Sequence, residues 1–177
     1  VHPAAYGAGE TGMVGEVLRG ARDRIGNDVF QGVRDATPEV IETLRRQYLE
    51  QQKNLFGHSP RIVNKHLQNW QFLPIIAAWF PKAAVIRIDR APADVGISIY
   101  GQNLSHDRMP WATRLDWIGR MIRSHQRFSD AMKARIPNPW LDLDYESLVT
   151  EPEPMIRSLI DLLGLDWDDR CLEPHQS

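Results

Sequence analysis

Arg61-Ile62-Val63-Asn64 and Ala84-Val85-Ile86-Arg87-Ile88 are two short β-rich runs, and the stretch between them, Asn69 to Phe80, has helical character. Buried β-branched runs in the order strand, helix, strand predict neighbouring parallel strands joined by a right-handed crossover. The fold class is therefore α/β, a parallel sheet flanked by helices. Working outward toward the amino end, Met13, Val14, Val17, Leu18 and Ile25 keep helical spacing up to a break at Gly26. Thr37-Pro38 reads as the N-cap and first residue of a second helix, with Val40, Ile41, Leu44 and Tyr48 as its inner stripe and a stop near Gly57. Toward the carboxyl end, Pro92 opens another helix. Trp117, Met121, Ile122, His125, Phe128 and Met132 mark a long amphipathic helix between Thr113 and Ile136. Trp140 to Tyr145 alternates as a third strand should, and Thr150-Glu151-Pro152-Glu153 has the form of a capping box opening a last helix that Gly164 ends.

The chain has 177 residues, which predicts one domain over 1–177. With 42% hydrophobic and 25% charged residues it has the composition of a folded globular protein. Its net charge of −2 gives no global attraction to nucleic acid or acidic lipid, so an anion site must be local. Cys171 is the single cysteine, which rules out an internal disulfide and a cysteine-rich zinc site and points to a reducing compartment. The longest apolar run, Leu73 to Phe80, is far shorter than the roughly 20 residues of a membrane helix and contains Pro74. No leader pattern precedes Val1, and the opening reads as part of a longer chain.

Ligands of open α/β sheets gather at the carboxyl ends of the strands, and basic residues follow both β-rich runs. Lys65 ends the first and Arg90 follows the second. The helix opening at Pro92 adds the partial positive charge of its amino end, and Ser98 lies two turns into it. Taken singly these residues have ordinary roles: a strand-end Lys or Arg is usually solvated, and a helical Ser usually bonds its own backbone. Glu10, after Gly7-Ala8-Gly9, suits the start of the following helix equally well. His2, His66 and His125 lack metal-ligand spacing, no metal is expected, and no Ser/His/Asp set or Walker loop is written in the chain.

Four segments in order resemble one family along nearly the whole chain. His2 to Thr11 resembles the segment that carries the catalytic glutamate of sulfotransferases using 3′-phosphoadenosine-5′-phosphosulfate (PAPS). Asn64-Lys65 resembles their strand-end lysine, and Asp89-Arg90-Ala91-Pro92 followed by Ser98 resembles their 3′-phosphate grip. Tyr145-Glu146-Ser147-Leu148-Val149, with Pro152, Ile156, Leu163-Gly164-Leu165 and Trp167, resembles their tyrosine-glutamate segment and terminal helix. The nearest likeness is to bacterial enzymes linked to tetratricopeptide repeats and to protein-tyrosine sulfotransferases. The resemblance implies a P-loop-like sheet and a sulfuryl transfer from PAPS to a hydroxyl acceptor on protein tyrosine, carbohydrate or small molecule. It implies Glu10 as general base, Lys65 at the bridging oxygen, and Arg90, Ser98 and Tyr145 as nucleotide-binding residues. It further implies tetratricopeptide repeats upstream and a cytoplasmic bacterial protein, or a Golgi one if the parent is of the eukaryotic type, while the charge balance gives the expectation of no nucleic-acid partner.

The chain departs from the family pattern in four places, one being its stop at Ser177, where the family pattern is expected to continue into a segment that covers the nucleotide. The phosphosulfate loop belongs before the His-Pro step and is not in the chain. Ala91 stands where relatives have an acid, and His66-Leu67 follows Lys65. Weak donor binding by the chain alone is the expected consequence, and a non-catalytic nucleotide- or partner-binding module is the alternative. Acceptor choice is expected in the loop 105–110, with Trp70, Trp111 and Trp117 as candidates to line a cleft.

Overall fold

The computed structural model describes residues 2–58, 61–102, 104 and 109–173. Its contacts gather into two compact units, one of Val1–Ala83, Ile136–Asn138 and Leu165–Ser177, the other of Ala84–Arg135 and Pro139–Gly164.

The first unit holds strands β1 (Ala5–Gly9) and β2 (Arg61–Asn64), which run parallel. Their register runs Ala5↔Arg61, Tyr6↔Ile62, Gly7↔Val63 and Gly9↔Asn64, so an irregularity at Ala8 skips one residue of β1. Helices α1 (Met13–Gly20) and α2 (Arg22–Ile25) follow β1, and α3 (Val29–Asp35) leads to α4 (Pro38–Phe56). Pro38 has no amide to lose at the first helical position, and Gly57, at φ 70°, ends α4 in the left-handed region open to glycine. Leu44 and Tyr48, one turn apart on α4, meet Met13, Val14, Val17 and Leu18 of α1 in the core. α5 (Leu73–Trp79) adds Ile75 and Trp79, whose indole lies 6.1 Å from the Tyr48 ring. Asn138 donates to the carbonyls of Phe80 and Ala83, each at 2.8 Å, tying 136–138 into this unit.

The second unit is built on β3 (Val85–Asp89) and β4 (Trp140–Asp144), parallel and in step from Val85↔Trp140 to Asp89↔Asp144. α6 (Pro92–Gly101) packs against α7 (Leu115–Lys133) at Gly96, where an added Cβ would touch the side chain of Ile118 at 3.8 Å. α8 (Tyr145–Thr150) follows β4 directly, and α9 (Pro152–Leu163) ends at Gly164 in the left-handed conformation. Arg87 is the charged centre of the β3–β4 surface. Only 15% of its side chain is exposed, and its guanidinium lies 2.8 Å from Asp142, 3.0 Å from Asp89 and 2.7 Å from Asp130.

The α/β class stands, while local details differ. Among the described residues β2 pairs with β1 and β3 pairs with β4. A strand has two edges, and its own sequence does not name the partner on either. β1 itself carries two glycines in five residues, a composition poor in strand formers. α7 is the expected amphipathic helix, with Met121, Ile122, His125, Phe128 and Met132 half-buried beside buried Ile118 and Ser129, and only Trp117 departs, 38% exposed beneath the Arg114 guanidinium. The capping box does not form, because Thr150 is the last residue of α8 and its hydroxyl donates back to the Glu146 carbonyl at 2.9 Å.

Candidate active site

The carboxyl tip of the first sheet is set by backbone register. Gly9 pairs with Asn64, and the Lys65 amide donates to the Gly9 carbonyl at 3.0 Å, so the next residues of the two strands, Glu10 and Lys65, come side by side. Gly9 has φ 69°, a turn that glycine makes without a Cβ penalty and that swings Glu10 off the end of β1. The Lys65 ammonium donates to the Glu10 carboxylate. That hydrogen bond, then the lysine charge, holds the Glu10 carboxyl below its ordinary value against a small opposing effect of burial, and the His66 charge adds to the lowering. Both side chains are more than half exposed, 67% for Lys65 and 53% for Glu10. A carboxylate and an ammonium reachable from solvent at one strand tip are suited to taking a proton and to meeting a developing negative charge.

The second sheet ends the same way. Asp89 pairs with Asp144, so Arg90 and Tyr145 are the next residues along, and the Arg90 guanidinium lies over the Tyr145 ring at 4.8 Å from its centre. Asp94, one turn into α6, stands 3.7 Å from the same guanidinium. The Asp144 carboxylate caps α8, accepting from the Ser147 amide and hydroxyl at 2.7 Å each, and these bonds hold its pKa below the ordinary value. The Glu146 carboxylate accepts from the Ala91 amide at 3.1 Å. The ring covers the face of the guanidinium, and its N–H edge has Asp94 beside one end.

The structure thus brings together Glu10 with Lys65 in one unit and Arg90 with Tyr145 in the other. Ser98 is exposed on α6, two turns beyond Ala91, and its hydroxyl makes no hydrogen bond among the described residues. His2 and His66 hydrogen-bond to backbone groups. His2 accepts from the Ala4 amide at 3.1 Å and bonds the Asp166 carbonyl, and His66 accepts from the Gln68 amide at 3.2 Å. Burial lowers the pKa of His125, and Arg87 lowers it further against the pull of Asp89. No group of three or more His, Cys, Asp or Glu side chains among the described residues is arranged to hold a metal ion. No helix is long and apolar enough to cross a membrane among those residues. Of the expected acceptor loop, 105–108 lie outside the described residues. Sequence reasoning missed Asp94, two residues past Pro92, and placed Glu146 in the tyrosine-glutamate segment without giving it a role.

One strand tip thus carries a carboxylate beside an ammonium, and the other a guanidinium over an aromatic ring. The chain belongs to the sulfotransferase family, whose family model matches residues 9–169. It is similar to a protein of Aquifex aeolicus (strain VF5) described as uncharacterized, 30% identical over 99% of this chain, and it spans about a quarter (24%) of that relative's length.

Proposed function

We propose that the chain is a sulfotransferase domain, one partial domain over 1–177, that moves a sulfuryl group from PAPS to a hydroxyl acceptor. The observation that carries the reading is the Glu10–Lys65 pair, side by side past the last paired residues of two parallel strands in a chain of this family. The donor supplies the sulfuryl group and departs as adenosine 3′,5′-bisphosphate. The side chains present fit such a ligand in kind: an ammonium, a guanidinium, a serine hydroxyl and the amino end of the ten-residue helix α6. Lys65 would meet the charge developing on the leaving phosphate, an interaction of the kind that contributes about 3 to 4 kcal/mol per donor at an oxyanion site. Glu10 would accept the acceptor's hydroxyl proton. Its lowered pKa keeps it ionised at neutral pH at some cost in basicity. Arg90 and Ser98 would hold the 3′-phosphate, using binding energy remote from the transfer to position it, and Tyr145 would serve nucleotide binding by seating Arg90.

The acceptor class is left at hydroxyl compounds, and upstream tetratricopeptide repeats and a cytoplasmic location belong to the same reading. Donor-dependent transfer by the full-length protein, with and without Glu10→Ala, tests it. The variant should lose roughly 10²- to 10⁴-fold in rate. Unchanged turnover removes Glu10 from the mechanism. Calorimetric binding of adenosine 3′,5′-bisphosphate with no transfer to any acceptor tried would instead support a non-catalytic nucleotide-binding module.

A further inference from the structure

We infer that Glu146 is the positioning residue of the second strand tip, its carboxylate fixing the turn between β3 and α6 so that Arg90, seated on Tyr145, presents its guanidinium edge to an anion. The inference rests on the reading of Arg90 as the 3′-phosphate grip.

Ala91 is the N-cap of α6 and has no side-chain oxygen with which to cap it. The residue three further on, Asp94, occupies the position from which an acid ordinarily reaches back to the N-cap amide. Here Asp94 lies against Arg90 instead, at 3.7 Å, and the Ala91 amide is taken by Glu146, 55 residues away in sequence. A local task is thus performed from another element. The consequence is that the first turn of α8 touches the Arg90-Ala91 turn twice in succession, Tyr145 on the guanidinium and Glu146 on the next amide. That first turn is itself held: Asp144, in register with Asp89, accepts two hydrogen bonds from Ser147. Arg90 carries a long flexible side chain 42% exposed, and without these two contacts its guanidinium would sample many orientations, each costing entropy to arrest on binding. Glu146 acts on Arg90 through the backbone and touches no ligand in this account.

Calorimetry on the full-length protein separates the possibilities, using adenosine 3′,5′-bisphosphate and adenosine 5′-monophosphate, which lacks the 3′-phosphate. Glu146→Ala should weaken the bisphosphate roughly tenfold, the scale of one charge-assisted hydrogen bond, and leave the monophosphate unchanged. Glu146→Gln keeps an acceptor oxygen and should restore most of the affinity. Amide hydrogen exchange at Ala91 should quicken in Glu146→Ala without any nucleotide present. Equal weakening of both nucleotides would make Glu146 a general structural residue and overturn the inference. So would bisphosphate binding that is unchanged or tighter in Glu146→Ala while Arg90→Ala loses it. If Arg90→Ala itself binds the bisphosphate normally, the grip reading fails first and the inference with it.

Discussion

The two strand tips are made by the same rule and held by different forces. In each, the residues just past the last register pair of two parallel strands become neighbours: Glu10 and Lys65 beyond Gly9↔Asn64, Arg90 and Tyr145 beyond Asp89↔Asp144. The first tip joins opposite charges, both open to solvent, so each is the other's counter-ion and their attraction is screened and weak. Such a pair separates readily when a stronger partner arrives, which suits groups that must act on a substrate. The second tip seats a guanidinium on an aromatic ring and ties the adjoining amide to a carboxylate. That arrangement suits a group whose task is to stay in place.

Removing the cation of the first tip is the severest way to test this contrast. Lys65→Met should lower the transfer rate by roughly 10²- to 10³-fold, the cost of one oxyanion-type donor, with the fold intact because the side chain is two-thirds exposed. The same variant has a readout independent of activity. Lys65 is the main cause of the lowered Glu10 pKa, so its loss should raise that value toward the ordinary 4.5, followed by carboxyl carbon NMR across an acid titration. A Glu10 titration unmoved by the substitution would mean the two charges do not face each other in solution, and the comparison of tips would lose its first member.

Beneath the second tip the expected effect falls on stability. Arg87→Met leaves Asp89, Asp130 and Asp142 without their shared cation, and the melting temperature should drop by an amount matching about 1 to 3 kcal/mol. Burial works to raise the Asp142 carboxyl, but hydrogen bonds from Lys133 and Trp140 and the charge of Arg87 outweigh it and hold its pKa below 3.8. A carboxyl lowered in the folded state binds fewer protons there than in the unfolded chain. Its contribution is therefore complete above pH 3.8 and lost as the pH falls through the folded value. The wild-type protein should show this acid loss, and Arg87→Met should show less of it, in melting curves taken from neutral pH downward.

What the sequence disclosed about these tips follows from which interactions are local. Lys65 and Arg90 are found by reading to the end of a β-branched run, and α4 and α9 are bounded by Pro38, Gly57, Pro152 and Gly164, each of which acts through its own backbone. β1 gave no such signal, because Gly7 and Gly9 weaken strand propensity where the chain needs a bulge and a left-handed turn. Without β1 the meeting of Glu10 and Lys65 was visible only through likeness to a family. Strand partnership, and the reach of Glu146 across 55 residues to Ala91, are long-range choices that periodicity does not encode. α8 was hidden for another reason: it is six residues long and begins at the last strand residue's own cap, Asp144, so strand and helix share one motif.

The smallest effect concerns the ring under Arg90. A cation over an exposed aromatic face contributes about 0.5 to 1 kcal/mol, so Tyr145→Leu should weaken adenosine 3′,5′-bisphosphate by roughly two- to fivefold. Tyr145→Phe keeps the ring and should bind like the wild type. Phe matching wild type while Leu loses affinity assigns the contact to the aromatic face; equal losses in both variants would assign it to the phenol hydroxyl, as a hydrogen-bond donor to the ligand. In that case Tyr145 would be a direct contact and not a seat for Arg90, and the second tip would hold its anion by hydrogen bonding much as the first tip holds its charge. Raising the salt concentration sharpens the distinction further. Screening weakens the phosphate's attraction to Arg90 equally in wild type and Tyr145→Leu, so a seat acting only by orienting the guanidinium predicts a constant ratio between the two affinities across the salt series.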